Sequence, residues 1–233
     1  MTYASLTALA ITAQAQAVTV NIDFGATGQV APNPTSGTTS EFGQVWNAVE
    51  GVNGANTPAG TTTLSGPLVD STGAATIVTL DMAWTNATGL DFSRFWDLHP
   101  ADRDGDYVAI RGDSGGVFNT FTLKGLEENA KYNLTVWANN PGGTDFRVNG
   151  GSTVNVIGST NSSAVNDSTA YTFHGVTANE SGAIAMDWGH IDAPATANTW
   201  AGFTSMSITA VPEPTSAALL GLGGLSLILH RRK

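Results

Sequence analysis

The sequence predicts an all-β fold, a two-sheet antiparallel jelly-roll-like sandwich, followed by a C-terminal hydrophobic helix. Three observations carry that expectation. Charged residues make up only 12% of the 233-residue chain, whereas long solvent-facing helices normally display Glu, Lys and Arg. Apolar residues recur at every second position in run after run, the period of a half-buried strand. Turn-forming clusters break those runs at short intervals, among them Asn53-Gly54, Pro141-Gly142-Gly143, Asn149-Gly150-Gly151 and Glu180-Ser181-Gly182.

In chain order, Val18, Val20, Ile22 and Phe24 alternate with polar residues and read as the first strand. Further strands are expected at Gly43–Val49, Ala75–Trp84, Tyr107–Arg111, Val117–Leu123, Tyr132–Ala138, Asp145–Val148 and Ser152–Ile157. Thr169–Val176, Ala183–Trp188 and Gly202–Ala210 complete the set. Strands this short and this closely spaced indicate a sandwich. Residues 26–40, rich in Pro, Thr and Ser, read as a long surface loop, and no internal repeat is present.

The two ends frame this domain, which is expected over residues 18–210. Residues 1–17 read as a signal peptide, with a short apolar stretch from Leu6 to Ala13 and a small-x-small cleavage site at Ala15-Gln16-Ala17. The usual Lys or Arg ahead of the apolar stretch is missing. A buried N-terminal helix is the competing reading; the alternating strand that follows at once favours a processed start.

At the other end, Val211-Pro212-Glu213-Pro214 leads into an uncharged run from Thr215 to Leu229, and His230-Arg231-Arg232-Lys233 closes the chain. This order, over residues 211–233, resembles the PEP-CTERM sorting signal of Gram-negative bacteria. The resemblance implies that the tail holds an exported protein in the inner membrane until an exosortase cuts near the Pro-Glu-Pro motif. Fifteen helical residues reach only ~23 Å, short of a ~30 Å hydrocarbon core, and Gly221, Gly223 and Gly224 weaken the helix further. Such a segment suits a temporary anchor, with Arg231, Arg232 and Lys233 on the cytoplasmic side.

Inside the domain, Phe121-Thr-Leu123-Lys-Gly125-Leu126 followed by Tyr132-Asn-Leu134-Thr-Val136 resembles the corner of fibronectin type III-like sandwiches. There a Gly-Leu turn precedes a Tyr whose hydroxyl ties the corner, so the resemblance implies a structural Tyr132. The chain is longer than one such module, and a single larger sandwich resembling galactose-binding-like or concanavalin-like domains fits better.

Charge and cysteine content exclude several functions. The segment 18–229 holds six basic against nineteen acidic side chains, a net of −13. A nucleic-acid backbone would be repelled by it. The chain has no Cys, which removes disulfides, thiolate zinc sites and a cysteine nucleophile.

Four motifs invite a functional reading. Gly112-Asp113-Ser114-Gly115-Gly116 resembles the nucleophile loop of chymotrypsin-like proteases. Too little chain precedes it for that family's first barrel, and Val117 stands where the family has proline, so a Gly-rich hairpin turn is expected instead. Asp102, Asp104 and Asp106 alternate around Gly105 as calcium ligands do, although the EF-hand order fails; calcium is the one candidate cofactor, against a solvated turn. Of six Trp residues, Trp84 and Trp137 lie within alternating strands and are expected in the core. Trp46, Trp96, Trp188 and Trp200 lie near strand ends or loops and are candidates for stacking on sugar rings. Asp187, His190 and Asp192 form a looser candidate site.

Three functions fit these observations. The first is a non-enzymatic exported surface or extracellular-matrix protein, sorted by an exosortase-type enzyme and working with exopolysaccharide. The second is a calcium-assisted carbohydrate-binding module. The third is a secreted glycan hydrolase, which needs two carboxylates facing each other at roughly 5–10 Å.

Overall fold

The computed structural model describes residues 18–26, 44–51, 60–63, 67–84, 91–94, 106–111, 117–138, 140, 142–158, 169–191 and 200–212. These form thirteen strands in two sheets. One sheet runs β11 (Thr169–Thr177), β8 (Lys131–Ala138), β13 (Trp200–Ala210), β1 (Thr19–Ala26), β2 (Asn47–Gly51). Strand β6 (Asp106–Arg111) also pairs with β13, and β5 (Asp91–Arg94) pairs with β6. The second sheet runs β10 (Val154–Val156), β9 (Thr144–Val148), β12 (Ile184–His190), β7 (Val117–Lys124), β4 (Thr79–Trp84), β3 (Gly60–Thr63). The expected all-β, two-sheet architecture is what the chain adopts; the C-terminal helix lies outside the described residues.

Every pairing is antiparallel except β1 with β2. The 11-residue β13 organises the larger sheet. Strand β8 follows one of its edges, while β6 and then β1 share the other, at Trp200–Phe203 and at Ser205–Thr209. The parallel strand β2 is locked by one side chain. Asn47 donates from Nδ2 to the carbonyls of Asn21 and Val69, each at 2.8 Å, and accepts from Val69 N at 2.8 Å.

The core follows from strand alternation. Across the smaller sheet, register places Leu80, Leu123 and Ile184 in one inward row, Met82, Phe121, Met186 and Val148 in the next, then Asn119, Trp188 and Phe146. Opposite them, Val20, Ile22, Phe24, Leu134, Val136, Phe203, Met206 and Ile208 are buried from the larger sheet. Phe203 is the hub. Its ring lies 5.0 Å from Phe24, 6.0 Å from Phe121, 5.5 Å from Phe146 and 4.9 Å from Trp188, mostly edge to face.

Several boundaries differ from expectation. Strands β3 and β5 were not anticipated, because Gly60-Thr-Thr-Thr63 and Asp91-Phe-Ser-Arg94 are too short to show a period. Residues Ala75–Val78 precede β4 and pair back against Leu68–Val69 across the turn at 71–72: the Thr76 hydroxyl and backbone N–H both donate to Leu68 O, Leu68 N donates to Val78 O, and Val69 bridges Ala75. Gln44–Trp46 precede β2 because Val45 N donates to Ser71 O at 2.9 Å. Residues 112–116, expected as a hairpin turn, lie outside the described residues; the flanking strands β6 and β7 belong to different sheets.

The Gly125–Tyr132 corner forms as the resemblance implied. Buried Tyr132 accepts at its hydroxyl from Glu127 N at 2.9 Å. Gly125 has φ +76°, and a methyl there would overlap the Ile77 carbonyl. Only glycine lets the two segments approach so closely.

Candidate functional site

The outer face of the smaller sheet gathers the best-defined polar array among the described residues. Alternation that sends Phe121, Trp188 and Phe146 inward sends Phe118, Thr120, Asp187 and Arg147 outward. Thr120 and Arg147 flank Asp187 from either side in register. The Thr120 hydroxyl donates to Asp187 Oδ1 at 2.7 Å. Arg147 donates from Nε and Nη2 to Asp187 Oδ2, at 3.1 and 2.9 Å. The guanidinium also lies over the Phe118 ring, 5.2 Å from its centroid, a cation–π contact. Gly189, itself buried, sits between Phe118 and Asp145 in the next row.

Beside this array, Asp145 is buried although it faces outward. Its Oδ1 accepts from Asn155 Nδ2 at 2.7 Å and its Oδ2 from Ile191 N at 3.0 Å. The face therefore offers a ring, a hydroxyl, an amide and a guanidinium with three N–H groups beyond the two on Asp187. It holds charge in neutralised pairs: Arg147 with Asp187, and Lys124 with Asp81 farther along. Such a face can bind a polyhydroxylated ligand. A carboxylate locked onto a guanidinium and a hydroxyl is poorly placed to exchange protons.

The residues singled out from sequence fall in different places. Trp188 is completely buried, in the aromatic core, and Trp46 is 4% exposed, edge to face with Trp137 at 5.9 Å. Neither presents a ring to a ligand, which corrects the expectation for both. Strand β12 runs two residues beyond Trp188, so a residue expected near a strand end is central to the row instead. Trp84 and Trp137, expected in the core, are only partly buried. Trp200 opens β13, but its side chain, Trp96, Asp102 and Asp104 lie outside the described residues. Asp106 pairs with Arg94 at the start of β6, so it belongs to a strand, not the preceding turn. Asp187 and His190 lie on opposite faces of β12 and do not form one site; Asp192 lies outside the described residues.

Sequence reasoning missed Phe118, Thr120, Arg147 and Asn155. The signal was present in their outward alternation, but only register across β7, β12, β9 and β10 brings them together.

The last strand ends where the sorting motif begins. Ala210 N donates to Val18 O at 3.0 Å and Val211 N to Lys131 O at 2.8 Å, and Val18–Val211 forms one compact unit. Residues 210–233 match the PEP-CTERM protein-sorting motif. The chain carries an exosortase-type sorting tail. Val211, Pro212, Glu213, Pro214, Arg231, Arg232 and Lys233 all fall within the match. This tail implies export and membrane anchoring before processing; among the described residues no helix is long and apolar enough to cross a membrane.

No curated protein matches the sequence. Among solved structures, the chain is similar to the YXIM protein of Bacillus subtilis at 13% identity, over 83% of this chain and 40% of that one, with a TM-score of 0.42. It is similar to a Podospora anserina GH26-CBM35 β-(1,4)-mannanase at 19% identity, over 67% of this chain and 29% of that one, with a TM-score of 0.35. The enzymatically active domain of bacteriophage CBA120 tailspike protein 4 matches at 13% identity, over 57% of this chain and 19% of that one, with a TM-score of 0.31. The chain thus spans less than half the length of each.

Proposed function

We propose that this chain is an exported, non-enzymatic surface or matrix protein, released as a whole β-sandwich when its tail is removed. The observation that carries the reading is the junction at Val211. Among the described residues the last backbone hydrogen bond is made there, and the Pro-Glu-Pro of the matched segment follows at Pro212. Cutting at Pro-Glu-Pro removes none of the described strands. Residues 1–17 serve as the export signal in this account, and the working partner of the released domain is exopolysaccharide.

Four of the described carboxylates support a non-catalytic role. Asp23 and Asp145, both buried, lie on the outer faces of different sheets. Asp81 and Asp187 are each held by a cation. Fractionation of the host tests the reading. With an active processing enzyme the sandwich is expected outside the inner membrane, and without it in the membrane fraction. Equal distribution in the two hosts would refute the proposal.

A second reading, polysaccharide binding aided by calcium, is favoured by the Phe118–Arg147–Asp187–Thr120 array and by the Asp102, Asp104, Asp106 cluster. Gel retardation in acidic and neutral polysaccharides, with calcium or chelator, tests it. Arg147→Ala is expected to abolish retardation, and Asp104→Ala to remove only its calcium dependence. Retardation that both variants retain in full would count against this reading.

A further inference from the structure

At the end of the sandwich where the chain enters and leaves, an open groove of about 350 Å³ lies between the sheets. Buried Val20, Val78 and Ile208 lie among its apolar lining with Val18, Ile77 and Ala210, and Asp70 and Glu127 also line it. Two residues there are unusually bare for their chemistry: Ile77 is 77% exposed and Val18 50%. Its walls are firmly built. Gly125 and Gly182, both at positive φ, pack against the backbone of Ile77 and Leu126, and Leu126 N donates to Gly182 O at 3.0 Å.

We propose that this groove is a docking site for the enzyme that removes the tail, and that the occupant presents an apolar side chain flanked by basic ones. The proposal rests on the sorting reading given above. Chain length forces the contact. Ala210 lines the groove, Val211 is the last of the described residues with a backbone hydrogen bond to the fold, and only Pro212-Glu213-Pro214 separates it from the apolar run. A cut within those three residues falls within about 10 Å of chain from Val211. An enzyme must enclose residues on both sides of the bond it cuts, so one working here abuts this end of the sandwich.

Charge selects the enzyme over the bilayer. Asp70 and Glu127 line the groove, and Glu128 and Glu180 are exposed in the neighbouring turns. Anionic lipid headgroups would be repelled by that rim, whereas basic side chains on a protein would be attracted. The exposed Ile77 then serves as the central apolar contact inside a polar rim, the arrangement that concentrates binding energy at interfaces.

The test uses the full chain in a host that processes it, with uncleaved and cleaved forms separated by mass. Ile77→Asp and Glu127→Lys, each at an exposed position, are expected to slow tail removal several-fold while leaving the melting temperature unchanged. Ile77→Val should retain the wild-type rate, as should Thr169→Asp at the opposite end of the sandwich. Processing of Ile77→Asp and Glu127→Lys at the wild-type rate would overturn the proposal while leaving the sorting reading intact. A wild-type chain that keeps its tail would overturn both. Because the chain lacks Cys, a label at Ile77→Cys separates the rival occupant. Quenching of that label by lipid-borne quenchers in phosphatidylethanolamine–phosphatidylglycerol vesicles, together with wild-type processing of Ile77→Asp, would assign the groove to the bilayer and overturn the proposal.

Discussion

Phe203 touches four rings that come from β1, β7, β9 and β12, so one side chain joins both sheets. Phe203→Ala should cost about 3–5 kcal/mol, the range for deleting a buried aromatic ring that its neighbours cannot refill. Denaturant titration measures this, and a loss below about 1 kcal/mol would mean that the cluster repacks freely. Trp188 adds a different lesson. Among the described residues its indole N–H has no hydrogen-bond partner, and neither does His190 Nε2, so burial of these two rings comes at a polar cost. Asp70 lies in an exposed turn, where the Thr72 hydroxyl above all, opposed by partial desolvation and helped by the backbone N–H groups of Thr72, Ala74 and Gly73, holds its carboxyl below the ordinary value. A depressed folded pKa stabilises the fold above the unfolded pKa, and that contribution disappears as pH falls through the folded value. Asp70→Asn should therefore melt slightly lower than wild type above about pH 4, with the difference vanishing in stronger acid. Solvent screening keeps the effect small. A difference that grew on acidification would contradict the assignment.

Strands depend on partners that sequence does not display. Thr144 of β9 reaches the other sheet, donating from Oγ1 to Gly202 O at 2.8 Å and accepting from Gly202 N at 2.9 Å, all buried. Thr144→Val keeps the shape but strands both groups of Gly202, and should cost about 2–5 kcal/mol, more than Thr135→Val on the solvent face. Equal melting of the two variants would show that the clamp contributes nothing. The same distinction explains what could be read in advance. Val20-Ile22-Phe24 and Leu134-Val136 announce strands because a buried face repeats every second residue. Asp91–Arg94 and Gly60–Thr63 do not, since their neighbours in space define them. Trp188 was misplaced for a related reason: an aromatic beside Gly189 and His190 reads as a loop end, yet the pairing of β12 continues through His190. The outward array on β7, β12 and β9 was illegible because its members are 27 to 69 residues apart in sequence, and only register aligns them.

At the scale of the whole molecule, the legible part was the tail and the illegible part the ligand. Pro-Glu-Pro, an apolar run and a basic terminus are local, contiguous signals, and they needed no folding to be recognised. A net charge of −13 over residues 18–229 disfavours contact with anionic surfaces. It also makes divalent cations natural companions. For Asp102, Asp104 and Asp106, an affinity of ~10⁻⁴–10⁻³ M is expected, as in extracellular modules. Millimolar calcium should then raise the melting temperature by a few degrees over chelator, and this shift should be lost in Asp104→Ala. Coincident wild-type curves would reduce the cluster to a solvated turn. The central claim, that a complete sandwich is cut from its anchor at the end of β13, is tested most directly by the intact mass of the protein recovered from the host surface. The account predicts a chain that begins at Val18 and ends within Pro212–Pro214. A surface form that still carries Arg231-Arg232-Lys233 would contradict it.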